Sequence, residues 1–392
     1  MKRILAYAFA IAAALSIVSC TEEETPITAN GIILKVDKDV IKCDGSDAAT
    51  FTVVTDGGEV IKDGITFYSG MEEVAITGSK FTASTAGEYS FWASYKTFNS
   101  NSVTIKAINT TAPDVVADPK PNSTSFVRRV FLTQFTGTRC GYCPGMTNWV
   151  NILRKDLGMK DKTVLAAVHS DMNSGDPAAI SAPKASADPF RHGQGIPFLS
   201  LDMCMGTSYT NNDSELHYAT LLKEAVEERI QTAPATAGIS VNPRYEEGVV
   251  PVQGGGNSNG IIARVQVKVS ETAEYAVGAW LLEDDLYGRQ SIYQQYVTVF
   301  PEYDYDTHDN CARVVDSYSN LSYVGHSLGE LQAGKTAEKT FILKVANSWN
   351  LANMHLVVFV TKKDNPEKTR EWSINNVIDC PVNKPTAFEY AN

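Results

Sequence analysis

The stretch Thr138–Met146, TRCGYCPGM, decides how the middle of this chain is read. It sets Cys140 and Cys143 two residues apart, a spacing shared by redox pairs, zinc ligands and structural staples. The flanks narrow the choice. RRVFLTQFTG (128–137) before it is an apolar strand pattern, CPGMTNWVNILRKDLG (143–158) has helical spacing, and TVLAAVHSD (163–171) is a second apolar strand. Strand, helix and strand in that order predict a βαβ unit with parallel strands. Cys140 is then expected at the helix amino end, where free N–H groups and the positive dipole end favour a thiolate. Cys143 is expected one turn in, able to close a disulfide. Pro144 is tolerated because the first turn needs no N–H there. A lowered pKa would make Cys140 the attacking sulfur and Cys143 the resolving one.

Gly195-Ile196-Pro197 stands just before a third strand, FLSLD (198–202). With the Cys pair between strand and helix, this resembles the thioredoxin superfamily over about residues 126–233. The resemblance implies that Pro197 is cis, faces the Cys pair and shapes the substrate groove. CGYC also resembles the quartet of periplasmic disulfide isomerases. A zinc site would need a second ligand pair, and Cys204 and His192 do not supply the spacing. An inert structural disulfide remains the alternative to redox chemistry. Two departures bear on it. Gln134 stands where thioredoxins have a buried Asp that assists proton transfer, and an amide cannot take the proton. Arg139 replaces the usual aromatic residue, and its charge favours a Cys140 thiolate.

The chain opens with Lys2 and Arg3 and an apolar run too short to span a membrane, an export signal peptide over residues 1–19. Ile17-Val18-Ser19-Cys20 resembles the lipobox of bacterial lipoproteins, which implies that Cys20 is lipidated and is the membrane anchor. Thr21-Glu22-Glu23-Glu24 resembles the surface-export signal of lipoproteins in the Bacteroides group. Losing Lys2 and Arg3 with the signal leaves 32 basic against 45 acidic side chains, a net charge of −13 that argues against a nucleic-acid partner. Six cysteines after Cys20 are too few for a disulfide scaffold, so the folds must rest on their cores.

Residues 20–30 read as a tether. From Gly31 to Ile108, short β-branched and aromatic runs separated by Gly, Asp, Ser and Asn predict an all-β immunoglobulin-like sandwich that serves as a spacer. Gly87-Glu88-Tyr89 resembles the tyrosine corner of bacterial immunoglobulin-like domains. Residues 109–125 form a proline-containing linker. Residues 126–235 are the α/β thioredoxin-like domain, including a long insertion at 171–195 and an amphipathic helix capped by Asp213 or Ser214. Residues 236–392 alternate as strands and predict a carboxy-terminal β-sandwich. Cys311 and Cys380 share that domain and are candidates for a structural disulfide, while Cys43 and Cys204 are expected as buried thiols. Asp304, Asp306 and Asp309 lack the Gly and Glu of an EF-hand loop and read as an acidic surface loop. GGGNSNG (254–260) reads as a hairpin connection, and His169, at the end of the second strand, could approach the Cys pair. No metal site or cofactor is expected.

VFLTQFTGTRCGYCPGM (130–146), taken with the lipobox and the trailing sandwich, closely resembles the Omp28-related outer membrane proteins of Bacteroidetes. The segment His308-Asp309-Asn310-Cys311-Ala312-Arg313 matches a His- and Arg-containing stretch of the same family. The resemblance implies a lipid-anchored protein at the outer membrane, facing the cell surface. Two functions follow as expectations. One is thiol–disulfide exchange on exported protein thiols, with Cys140, Cys143 and Pro197 as catalytic residues. The other is non-enzymatic binding or adhesion toward an unknown surface ligand, with the thioredoxin fold as scaffold.

Overall fold

The computed structural model describes residues 30–169, 175–179, 187–251, 256–316, 324–363 and 371–391. The signal peptide, Cys20 and nearly all of the tether lie outside the described residues, as do parts of the 171–195 insertion and Gly254 and Gly255 of the expected hairpin connection. The chain is mostly β-sheet and has two long helical segments among the described residues.

Residues 32–108 form two sheets. Ile32–Val36, Ala48–Thr55, Val60–Ile61 and Lys80–Thr82 make one, and Val40–Lys42, Val103–Ile108, Gly87–Tyr95, Ile65–Ser69, Glu72–Val74 and Phe98–Asn99 the other. Alternate side chains turn inward, and Leu34, Ile41, Phe51, Phe91 and Ile105 fill the space between the sheets. Phe51 meets Phe67 and Phe91 at ring distances of 5.4 and 5.2 Å. The Tyr89 hydroxyl donates to the carbonyl of Thr85, 2.9 Å away, the return bond expected of a tyrosine corner. The linker does not hang free. Asn242 and Arg244 donate to the carbonyls of Asp114 and Thr111, and Lys268 reaches Asp118 and the carbonyl of Pro121.

The strand Val130–Thr136 is buried along its whole length because it has neighbours on both edges and cover on both faces. It runs parallel to Thr163–His169 and antiparallel to Phe198–Leu201, which pairs in turn with Met205–Ser208. Helix α1, Cys143–Asn151, connects the parallel pair and continues into a π-helical turn, Ile152–Asp156. Helix α2, Glu215–Thr232, is capped by Ser214, whose hydroxyl accepts from the His217 N–H. Together α1 and α2 cover one face, with Trp149 stacked on Tyr218 at 4.4 Å above Leu132 and Leu199.

The boundary expected at residue 235 divides the chain but not the sheet. At Ala167 the second parallel strand pairs with Cys311, and the sheet runs on through Cys311–Asp316, Ala273–Glu283, Met354–Lys363 and Trp372–Pro381. A separate three-stranded sheet, Ala237–Pro251, Asn257–Val269 and Thr336–Lys344, packs on the carboxy-terminal part through Val241, Val265, Leu343 and Val358. Strands Ala237–Pro251 and Asn257–Val269 form the antiparallel hairpin expected around GGGNSNG. On the opposite face a second core joins both halves: Trp280 packs edge-on against Phe131 at 5.3 Å and Phe190 at 5.3 Å, with Phe359 behind.

Several buried charges are matched. Asp202 accepts from Arg128, from Arg229 Nε at 3.2 Å and from the Phe131 N–H at 2.9 Å. Glu283 pairs with Arg313 at 3.1 Å. His355 lies between two carboxylates, 2.6 Å from Asp379 and 3.3 Å from Asp284. Burial alone would lower this imidazole, but the two carboxylates outweigh it and raise its pKa from 6.5 to about 9.

Because the folded pKa lies above the unfolded one, the His355 contribution is complete below about pH 6.5 and is lost as pH rises through about 9. Urea unfolding midpoints should therefore fall over that window, and the fall should be smaller in His355→Gln. Trp280→Ala should cost about 3–5 kcal/mol in the same assay, since it opens a cavity in the core that both halves share.

Candidate functional site

The Cys140–Cys143 disulfide is formed, with Cα atoms 5.4 Å apart. The helix starts later than its sequence suggests: α1 begins at Cys143, and Cys140 lies in the preceding turn, where its carbonyl accepts from the Cys143 N–H at 3.2 Å. Pro144 occupies the first turn of α1. The Ile196–Pro197 bond is cis. Phe198 stands opposite Phe135 in the sheet, so Pro197 comes at the strand end from which the Cys loop departs. Gln134 is turned to a structural use: its amide donates to Thr147 Oγ1 at 3.0 Å, and that hydroxyl donates to the carbonyl of Cys143. Arg139 is exposed.

The disulfide is covered. Cys140 is 6% and Cys143 1% exposed. The cover is the segment 288–305, which leaves the carboxy-terminal part of the sheet and lies across the Cys loop. Ser291 and Tyr293 donate their backbone N–H groups to the carbonyls of Thr138 and Gly141, at 2.7 and 2.9 Å. The Gln290 side chain donates to the carbonyls of Cys140 and Gly137, at 3.0 and 3.3 Å. Further along, the Asn148 amide of α1 donates to the carbonyl of Thr298 at 2.8 Å, and the Tyr305 hydroxyl donates back to Asn148 Oδ1 at 2.7 Å.

Two glycines make the contact possible. A Cβ on Gly141 would lie 2.6 Å from the Tyr293 ring, and one on Gly145 would lie 2.2 Å from the Tyr209 ring. Tyr142, half exposed, sits among Tyr293, Tyr296 and Tyr209 at ring distances of 5.0, 5.7 and 6.3 Å. The Tyr209 hydroxyl donates to the carbonyl of Tyr296 at 3.0 Å, closing the ring of tyrosines over the loop. None of these covering residues was singled out from sequence. The tyrosine density of 287–305 is the only local signal, and it says nothing of where the segment lands.

His169 does not serve the Cys pair. It ends buried, with Nδ1 2.9 Å from Asp176 and Nε2 3.6 Å from Cys311 Sγ, and its ring meets that of His308 edge-on at 5.0 Å. Burial would raise Asp176, but the His169 ring and the backbone N–H groups of Thr138 and Ala178 outweigh it and hold the carboxyl at about 2. The expected Cys311–Cys380 disulfide is corrected: both thiols are free and buried. Cys311 faces His169, while Cys380 sits three strands further across the sheet and donates to the carbonyl of Leu356 at 3.3 Å, so the two are held by different partners. Burial raises both thiols above the ordinary range. Cys43 and Cys204, expected buried, are half-buried thiols.

Within the segment His308–Arg313, His308 contacts the carbonyl of Gly288 at 2.8 Å, and Arg313 pairs with Glu283 and stacks on Trp349 at 4.7 Å. The acidic run 304–309 is knitted into its own turns: Asp304 accepts from Thr307 at 2.6 Å and Asp306 from the Gln290 N–H at 2.8 Å. Among the described residues no group of three or more His, Cys, Asp or Glu side chains could hold a metal ion, and no helix is long and apolar enough to cross a membrane. A cavity of about 1080 Å³ opens beside the covered loop, between α1 and the segments around Asp284, Asn310 and His355.

Residues 253–384 match the family model described as outer membrane protein Omp28. No curated protein matches the chain. Among solved structures, HBP35 of Porphyromonas gingivalis overlaps with 18% identity over 69% of this chain and 79% of its own, at a TM-score of 0.46. A structural-genomics target from Agrobacterium tumefaciens overlaps with 10% identity over 67% of this chain and 97% of its own, at a TM-score of 0.38. The family match falls on the covering segment and the carboxy-terminal strands rather than on the Cys loop from which the resemblance was first read. Over residues 253–384, about a third of its length, this chain is similar to the outer membrane protein Omp28 family, and the match places it at the outer membrane.

Proposed function

We propose that this protein is a lipid-anchored surface binding protein, tethered through Cys20, in which residues 126–235 form a thioredoxin-like scaffold rather than an exchange enzyme. The observation that carries the reading is the cover over Cys140 and Cys143. Disulfide exchange needs a thiolate to approach a sulfur along the S–S axis, and an attacking Cys140 needs solvent access. Here both sulfurs belong to nearly buried residues, and the loop's outward carbonyls are already taken by Ser291, Tyr293 and Gln290. A peptide laid along the Cys loop would have to displace these bonds. Gln134 adds to this: where proton transfer would need a carboxylate, an amide ties α1 to the strand. The disulfide then closes the turn that receives the covering segment, and exported protein thiols are not its partners.

A redox titration of the purified protein without its lipid anchor tests this, with Cys140→Ser as control. The pair should stay oxidised down to about −300 mV and should not reduce a model protein disulfide. A potential in the range of exchange proteins, about −120 to −270 mV, with turnover that vanishes in Cys140→Ser, would return the chain to the oxidoreductases. Tyr293→Ala together with Gln290→Ala should loosen the cover and make the pair measurably easier for glutathione to reduce.

A further inference from the structure

The cavity beside the covered loop holds an unspent cation. Arg154 lines it, projecting from the π-helical turn Ile152–Asp156 that ends α1. Its Nε is buried and has no hydrogen-bond partner, and no described carboxylate pairs with it. The other inner charges are committed. Asp284 and Asp379 hold His355, and Asp309 accepts from the Asp285 N–H at 3.0 Å. Lys155, on the same turn, lies over the Tyr303 ring at 5.4 Å. Burial pulls the Arg154 guanidinium below its ordinary pKa, countered only by the more distant charges of Asp379 and Asp284. A partly desolvated guanidinium whose Nε has no partner costs stability, offset only by the more distant carboxylates. π-helical turns are rare and recur at functional sites, which is a second reason to look here.

We propose that this cavity is a ligand site in which Arg154 receives a carboxylate. Its volume is that of a pocket for a small molecule or a few residues of peptide. The guanidinium fork matches a carboxylate with two parallel bonds. The mouth carries more acid than base: Asp285, Glu302, Asp304 and Asp309 are exposed around it, against Lys155 and Lys160. That rim disfavours a doubly charged phosphate and favours a ligand that carries a positive group as well. The ligand class is therefore zwitterionic, and a short peptide with a free carboxy terminus and a basic side chain meets both ends. The proposal rests on the binding-protein reading and gives that reading a site.

The test uses calorimetric titration of the anchor-free protein with N-acetylated Ala-Ala-Lys as the free acid, the same peptide as the carboxamide, and N-acetylated Ala-Ala-Ala, so that the lysine ammonium is the only cation any ligand carries. The free acid should bind, the carboxamide should bind at least about tenfold more weakly, and Ala-Ala-Ala should bind more weakly than the free acid. Arg154→Gln should abolish the difference between acid and carboxamide. Its thermal midpoint without ligand should equal or exceed that of the parent, because the substitution removes a half-buried charge whose Nε has no partner. Lys160→Gln, at the exposed edge of the cavity, should retain the discrimination. No binding at 10 mM peptide (a concentration on the order of the weakest useful affinity), equal binding of acid and carboxamide, Ala-Ala-Ala binding as tightly as the lysine peptide, or a destabilised Arg154→Gln would each overturn the proposal. A redox-inert Cys pair with no peptide binding would remove this site and leave the scaffold reading standing. A redox-active pair would remove the scaffold reading whatever the peptides do.

Discussion

The ladder contact at Ala167 is the constraint on which the rest depends. Ala167 donates its N–H to the carbonyl of Asn310 at 2.8 Å and stands opposite Cys311, so the parallel pair and the carboxy-terminal strands become one sheet. A strand buried on both faces needs neighbours for every backbone group, and this neighbour comes from more than 140 residues away in the chain. Once Cys311 is fixed there, the segment that precedes it must cross the end of the parallel pair. That end is where the Cys loop emerges. The covering of the disulfide is thus a consequence of how the two halves share a sheet.

The same join explains why the core is not divided at residue 235. Phe131 from the first half and Trp280 and Phe359 from the second meet on one face, and the hydrophobic gain of that burial is available only when both halves are in place. Small residues then do specific jobs at the crossing. Gly141 and Gly145 remove the Cβ atoms that would push Tyr293 and Tyr209 away. The Gly of CGYC reads in isolation as a loop residue; in the fold it is the floor on which a tyrosine ring rests.

Charge follows a consistent rule with one departure. Arg128 and Arg229 share Asp202, Arg313 has Glu283, and His355 has two carboxylates, so each buried cation has an acceptor at hydrogen-bond range. Such pairing offsets the loss of hydration without adding much net stability, and it fixes which strands face one another. Arg154 breaks the rule on the wall of the cavity beside the covered loop, where its Nε has no partner among the described residues.

Much of this was legible in the residues themselves. The alternation of 31–108, the apolar runs at 130–136 and 163–169, the Ser214 cap and the place of Pro197 before a strand are local patterns, because period, capping and proline act within a few residues. The family resemblance also came from local motif residues. What remained hidden depends on contacts between distant segments: the shared sheet, the cover over Cys140 and Cys143, the free Cys311 beside His169 and the unpaired Arg154. A Cys spacing fixes which sulfurs can meet, and here Cys140 and Cys143 do. Whether they can react is decided by what else the chain lays across them, and side-chain periodicity carries no record of that.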